Sequence, residues 1–494
     1  MKNLFKRLGA RKYFTAVFSL FTACALISAI LISLIPFGIS SFDTTESKIM
    51  TLSKESSDLV KSIDTDVEIC LIASTRGEEP TQLLTLIQKY ALKSKRVKAT
   101  VLYCDENASE IKAYSVNNEL SGGSVIVRSA KRSLYLPYGA FCAYSTQAEL
   151  NAYTEYYSLY SAGSLKCTFT EFLQYYAPLL SLHDGYRYEE ALNTAISYAA
   201  SNNVKTAYYV SGDHKAPFID PYFYLTLAKS MIEIRSLSIE KSDIPSDASA
   251  IIMIVTEEKD ISSSDRDKLS GYIGNGGSLT VMNSYPLSSM PNLASVCANL
   301  GIASGEGYVI EDNKDYYSSS GEYLLPAVTD AEASAYLGSI TPLLPASIPV
   351  KQTEILPDGV SVKEILSSSQ KAFEMIVPKD ADQSFTFDSA NAERMAFSIA
   401  AIGQKNNGAS LTYYGSSLLL SPEIDLYSGY SNHALFSYLL QKTCGAEPYI
   451  ATVEAKAHEV GYVDSTAALT SVFIVFGIML VGTTAFIGYK KTKR

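Results

Sequence analysis

Residues 249–283 read SAIIMIVTEEKDISSSDRDKLSGYIGNGGSLTVMN, and this stretch decides the fold. An apolar run from Ser249 to Thr256 gives way to a helical pattern from Ser263 to Ile273, then to a second apolar run from Ser278 to Asn283. Ser262 with Asp265 makes a capping-box-like start for the helix, and Gly276-Gly277 supplies its stop. Two short apolar runs joined through a helix require a crossover connection, so they predict neighbouring parallel strands.

The same alternation continues on both sides. Upstream, a helix from Tyr188 to Ala200 leads to a strand from Lys205 to Ser211 and a helix from Tyr222 to Ile234; downstream, a helix spans Asn292 to Leu300. This order predicts an α/β domain over residues 188–445 with a parallel, doubly wound sheet, Rossmann-like or glutamine-amidotransferase-like. Residues 310–405 read as an irregular insertion, with Pro342, Pro345 and Pro349 in a linker-like stretch. Order returns with a strand at Ser410 to Gly415 and a helix at Asn432 to Lys442.

Residues 43–187 carry a different pattern. After a short helix opening at Ser53, apolar runs stand at Val67 to Ala73, Ala99 to Tyr103, Ser124 to Val127 and Leu134 to Leu136, with helical patterns between the first three. Leu83, Ile87 and Tyr90 recur at the spacing of one buried helix face. Strand, helix, strand, helix, strand, strand is the order of a thioredoxin-like core. A redox thioredoxin carries Cys-x-x-Cys after the first strand, where this chain has Ala73-Ser74-Thr75-Arg76-Gly77, so disulfide exchange is not expected. A Tyr-rich extension, including Tyr156 and Tyr157, closes this domain.

The chain has 494 residues, 47% hydrophobic, with 41 Lys and Arg against 51 Asp and Glu. An acidic balance argues against a nucleic-acid partner. The charge is unevenly spread. No charged residue occurs from Tyr13 to Phe42 or from Ser465 to Tyr489, and cations crowd outside both stretches: Lys2, Lys6, Arg7, Arg11 and Lys12 before, Lys490, Lys491, Lys493 and Arg494 after. Residues 13–39 and 466–488 therefore read as flanking N- and C-terminal transmembrane helices in contact with the lipid bilayer. The positive-inside rule puts the basic tails 1–12 and 489–494 in the cytoplasm and the domains outside, with 446–464 as a linker. This predicts a two-pass plasma-membrane protein. Ala25, Ala29 and Ser33 in the first span, with Gly477 and Gly482 in the second, offer small-residue faces for helix packing.

Open parallel sheets bind ligands beyond their C-terminal strand ends. The residues there are Ser211, Gly212, Asp213 and His214, then Thr256, Glu257 and Glu258, then Asn283, Ser284 and Tyr285. They make the candidate crevice, yet they compose no known machine. No dinucleotide fingerprint follows these strands, and neither a phosphate-binding P-loop nor a nucleophile elbow occurs. No cysteine lies in a catalytic motif, and His183, His214, His433 and His458 lack zinc-site spacing. The sequence thus implies no catalytic residue, no metal and no cofactor.

The series Phe42-Asp43 with Thr45, Leu52-Ser53, Leu84 to Tyr90 with Ser94, Asp243-Ile244-Pro245, Asp260-Ile261-Ser262, Leu269, Tyr272, Gly276-Gly277 and Asn292-Leu293 resembles GldG-like proteins. Those are auxiliary subunits of gliding-motility-type ABC transport systems. Gly212-Asp213-His214-Lys215 departs from the Gly-His-Gly-Glu often found there in that family. The resemblance implies a non-enzymatic, membrane-anchored accessory subunit whose partners are an ABC permease and a cytoplasmic ATPase. The alternatives are a membrane-tethered hydrolase or amidotransferase-like enzyme using the crevice, and a surface scaffold gripping glycan or protein through its tyrosines.

Overall fold

The computed structural model describes residues 47–114, 122–143, 185–211, 221–378, 388–421 and 431–457, with residues 22, 23, 43, 163, 164, 166 and 424 singly. The chain divides into two compact units. The first comprises Met1–Ser145, Leu182–Ala200 and Thr452–Arg494, and the second Thr146–Ser181 and Ser201–Ala451.

In the first unit, α1 (Lys54–Ser62) starts at Ser53, whose side chain accepts the Ser56 N–H. There follow β1 (Val67–Ala73), α2 (Thr81–Lys93), β2 (Val97–Tyr103), α3 (Ala108–Tyr114), β3 (Val125–Ser129), β4 (Ser133–Leu136) and α4 (Tyr188–Ala200). The sheet order is β2-β1-β3-β4. β1 runs parallel to β2 and antiparallel to β3, and β3 and β4 form an antiparallel pair. β1 is central, and its apolar run is buried almost throughout, as a strand covered on both faces requires. α2 buries Leu83, Leu86, Ile87 and Tyr90 along one stripe.

The sequence reading opened the second domain with Tyr188 to Ala200, whereas the structure places α4 in the first unit. Twelve of its thirteen residues are buried. A helix buried all round needs cover on all sides, and partners for its polar residues. Its C-terminal carbonyls are taken by the β3–β4 turn: Ser129 Oγ donates to the Ala199 carbonyl at 2.7 Å, Arg132 Nη1 to Tyr198 at 2.9 Å, and Lys131 Nζ to Ala200.

At the other end of α4, Glu189 is 3% exposed. Its carboxylate accepts from the Ser53 N–H (2.7 Å), Ser56 Oγ (2.6 Å) and Lys456 Nζ (2.5 Å). Lys456 also donates to the carbonyls of Lys48 and Thr51. One buried charge pair therefore joins segments from both ends of the described chain.

The second unit is built on an eight-stranded sheet. Its strands are β5 (Lys205–Val210), β6 (Ile232–Leu237), β7 (Ala248–Val255), β8 (Ser278–Asn283), β9 (Ala327–Val328), β10 (Val360–Ser367), β11 (Ser398–Lys405) and β12 (Ser410–Tyr414), in the spatial order β9-β10-β11-β12-β8-β7-β5-β6. β6-β5-β7-β8-β12 are mutually parallel, and β11, β10 and β9 extend the sheet antiparallel. Helices α5 (Pro221–Lys229) and α9 (Asn432–Cys444) pack in the core of one face. Helices α6 (Ser263–Gly274) and α7 (Pro291–Ala298) pack in the core of the other; α8 (Ala331–Leu337) precedes β10 in the chain.

The expected all-parallel sheet is therefore a mixed one. The helix expected to reach Ile234 stops at Lys229, because Met231 adopts a left-handed φ of 54° that no helix continues through, and Ile232–Leu237 becomes β6.

The expected flanking transmembrane helices, and the two-pass plasma-membrane placement built on them, are corrected: among the described residues no helix is long and apolar enough to cross a membrane. The longest helices with described bounds have 13 residues, about 20 Å against the roughly 30 Å of a hydrocarbon core. Apart from Thr22 and Ala23, the segments 13–39 and 466–488 lie outside the described residues, as do Ala25, Ala29, Ser33, Gly477, Gly482, both basic tails and most of the Tyr-rich extension. What stands is a mixed α/β chain.

Burial raises the affinity of the Glu189 carboxyl for a proton, but hydrogen bonds from Lys456, Ser56 and the Ser53 amide outweigh it and hold the group below the usual carboxylate range. A depressed folded pKa stabilises above the unfolded value of about 4.3 and is lost as pH falls through the folded one. Acid titration of stability should therefore be less steep in Glu189→Gln than in the wild type. Lys456→Met, which strands a buried carboxylate, should lower unfolding free energy by about 3 kcal/mol at neutral pH in a denaturant melt.

Candidate functional site

In the parallel order β6-β5-β7-β8-β12 the chain reverses direction between β5 and β7, which makes that gap the switch point of the sheet. Ser211 follows β5, with its amide held by the Leu237 carbonyl at 2.8 Å. Half-buried Thr256 and exposed Glu257 and Glu258 follow β7. Gly212, Asp213 and His214 lie outside the described residues.

Asn283 ends β8 and is fully buried. Its Nδ2 donates to the Tyr413 hydroxyl at 2.7 Å and to the Tyr285 carbonyl at 2.8 Å, and its Oδ1 accepts the Tyr285 N–H at 2.9 Å. Tyr285 in turn donates its hydroxyl to the Thr256 carbonyl at 2.8 Å. Burial pushes the Tyr413 hydroxyl far above its ordinary pKa, so it stays neutral. The structure thus brings Asn283 and Tyr285 together as the sequence grouped them, but commits their polar atoms to one another and to neighbouring strands.

The crevice beyond β8 and β12 is closed by the chain itself. The linker-like stretch with Pro342, Pro345 and Pro349 is buried there. The Ile348 amide donates to the Gly415 carbonyl at 2.7 Å and Ser416 Oγ to the Pro345 carbonyl at 2.5 Å. A Cβ on residue 415 would stand 2.2 Å from the Ile348 carbonyl oxygen, so only glycine lets this segment cross the end of β12. Asn432, the first residue of α9, pins the segment through both its oxygen and its nitrogen to Leu343 at 2.8 Å. Sequence reasoning missed this role because the contact joins residues 89 apart.

The helix N-termini at this edge are also occupied. Asp260 accepts the amides of Asn292 (2.8 Å) and Leu293 (3.0 Å), filling the start of α7, and Ser262 accepts the Asp265 amide at 3.1 Å, filling the start of α6. A carboxylate already sits where a phosphate would bind α7. The switch point itself is rimmed, among the described residues, by Ser211, Thr256, Glu257 and Glu258.

Cys70, Cys297 and Cys444 are poor nucleophiles. Burial pushes the thiols of Cys70 and Cys297 up to about 12 and that of Cys444 up to about 11. Of the four histidines, only His433 is described, its ring stacked on Phe223 at 4.1 Å. Among the described residues no group of His, Cys, Asp and Glu could hold a metal ion.

Asn283→Ala should cost about 2 kcal/mol in a denaturant melt, because it leaves the buried Tyr413 hydroxyl and the Tyr285 amide without their partner. Cys70 and Cys297 should resist alkylation in the native protein at pH 8 and react once it is unfolded, as read by mass spectrometry of the labelled peptides.

No family model and no curated protein matches the sequence, so neither the GldG-like resemblance nor an ABC association gains support from those comparisons. Among solved structures, the chain is similar to the "mmIFT52 N-terminal domain" at 17% identity and a TM-score of 0.36, over 50% of this chain and 100% of that one. At that score the likeness carries no argument.

Proposed function

We propose that the chain is a non-enzymatic accessory subunit of an ABC transport system, acting beside a separate permease and ATPase. The observation that carries this reading is the self-occupied edge of the sheet. Asp260, Ser262, Asn283, Tyr285 and the segment around Pro345 occupy the starts of α6 and α7 and the strand ends beside the switch point. A sheet edge filled by its own chain suits docking rather than turnover.

The resemblance to GldG-like proteins supplies the partner class, and the residues that carry it have structural work in this fold. Asp260 caps α7, Ser262 caps α6, and Leu269 is buried. Tyr272 donates its hydroxyl to the Ala248 carbonyl, and its ring lies 2.3 Å from where a Cβ on Gly277 would stand. The exposed Glu257 and Glu258 give the switch point an acidic rim suited to a basic surface on a partner.

Affinity capture with the full chain from a gently solubilised extract should recover an ABC permease and its ATPase. Repeated capture without either sinks the reading. Glu257→Lys with Glu258→Lys should weaken the capture while leaving the melting temperature unchanged; full capture by that variant would move the docking surface elsewhere.

A further inference from the structure

The edges of the two large sheets are not alike. In the second unit, β9 has two residues, and β6 alternates Glu233 and Arg235, which pair with each other at 2.9 Å. In the first unit β4 has four residues. These are the short or charged edges by which sheets avoid pairing with other chains. β2 differs: it is seven residues long, holds no proline, and pairs with β1 in unbroken register from Val97 to Tyr103.

The direction of its free groups follows from the ladder. The Val67 amide donates to the Arg96 carbonyl at 2.8 Å, and the Cys104 amide donates to the Ala73 carbonyl at 2.9 Å. Even-numbered residues of β2 therefore turn their backbone groups toward β1, and odd-numbered residues turn theirs outward. The ends of the outward row are used locally: the Val97 amide bonds the Ser94 carbonyl, and the Tyr103 amide bonds Asn107 Oδ1. Ala99 and Val101 are left with outward N–H and C=O groups that meet no partner among the described residues, and both are half-exposed.

Charge is graded along this edge. Lys93, Lys95, Arg96 and Lys98 stand at its start, Asp105 and Glu106 at its end. Lys98 is neutralised by Glu68 at 2.8 Å, Arg96 by Asp66 at 3.2 Å and Glu106 by Arg76 at 2.7 Å. Lys95 and Asp105 are exposed and make no ion pair among the described residues.

We infer that β2 pairs antiparallel with β2 of a second copy of this chain, across a two-fold axis at Thr100. In that register Ala99 of each copy exchanges hydrogen bonds with Val101 of the other. Val97 then faces Tyr103, and the turns that carry the exposed Lys95 and Asp105 come together beyond both ends of the ladder. A two-fold axis makes the contact self-complementary, and the graded charge favours the antiparallel over the parallel sense, which would set Lys95 against Lys95. The two four-stranded sheets become one of eight strands. The inference stands on the first unit alone and is independent of the transport reading.

Sedimentation of the full chain across a concentration series tests it, against a monomer mass of 53.7 kDa. A species of twice that mass is expected. Ala99→Pro removes only an outward donor, and should return the monomer without loss of secondary structure by circular dichroism. Lys95→Asp should weaken the dimer and Lys95→Asp with Asp105→Lys restore it, while Thr100→Cys should form an intermolecular disulfide at the axis. A monomer at every concentration overturns the inference, as does a dimer indifferent to all these changes. Protection of the Ala99 and Val101 amides only when a different protein is added would give the edge to another occupant and overturn it equally.

Discussion

The side-chain amide of Asn283 bonds the hydroxyl of Tyr413 on the next strand and both backbone groups of Tyr285, which reaches on to Thr256 at the end of a third. A buried parallel sheet ends in polar backbone that must find partners, and an unpaired one costs about 1–3 kcal/mol. Asn283 meets that requirement for the backbone of Tyr285 beyond β8, the Tyr285 hydroxyl meets it for the Thr256 carbonyl beyond β7, and the Tyr413 hydroxyl ties β12 to the pair. With the ends of β7, β8 and β12 tied, the segment around Pro345 crosses the end of β12, and Asn432 holds it there.

The same requirement explains why the residues resembling GldG-like proteins occur where they do. Asp260, Ser262, Tyr272, Gly277, Asn292 and Leu293 form the joints between α6, α7 and the strands beside them: carboxylate on helix start, hydroxyl on helix start, ring on glycine. These are positions where geometry tolerates few residue types. A likeness at such joints speaks of how a sheet is assembled, so the proposed transport partnership also draws on the exposed carboxylates of Glu257 and Glu258 at the switch point.

Local patterns were legible in the sequence. The alternation over 249–283, the stripe Leu83, Ile87 and Tyr90, and the caps at Ser53 and Ser262 all depend on neighbours within a few residues, and each element stands where the pattern put it. Non-local commitments were not legible. Asn283 announced itself as a polar residue at a strand end, but its partner Tyr413 lies 130 residues away. The prolines at 342, 345 and 349 suggested a linker because burial leaves no mark on a proline run. In β10 a bulge near Glu364 and Leu366 breaks the two-residue period that would have revealed a strand. The helix α4 was recognised as a helix, but a helix buried all round does not say which core surrounds it. Apolar length alone suggested two membrane crossings that the described helices do not supply.

The allocation of α4 to the first unit, together with the return of residues 452–457, makes the second unit two insertions within the first, Thr146–Ser181 and Ser201–Ala451. The ribosome delivers Glu189 long before its cation: Lys456 follows 267 residues later. The second unit is complete in the nascent chain before the first can neutralise its own buried carboxylate. Order of synthesis and order of closure therefore run opposite to each other, and the first domain to begin is the last to finish.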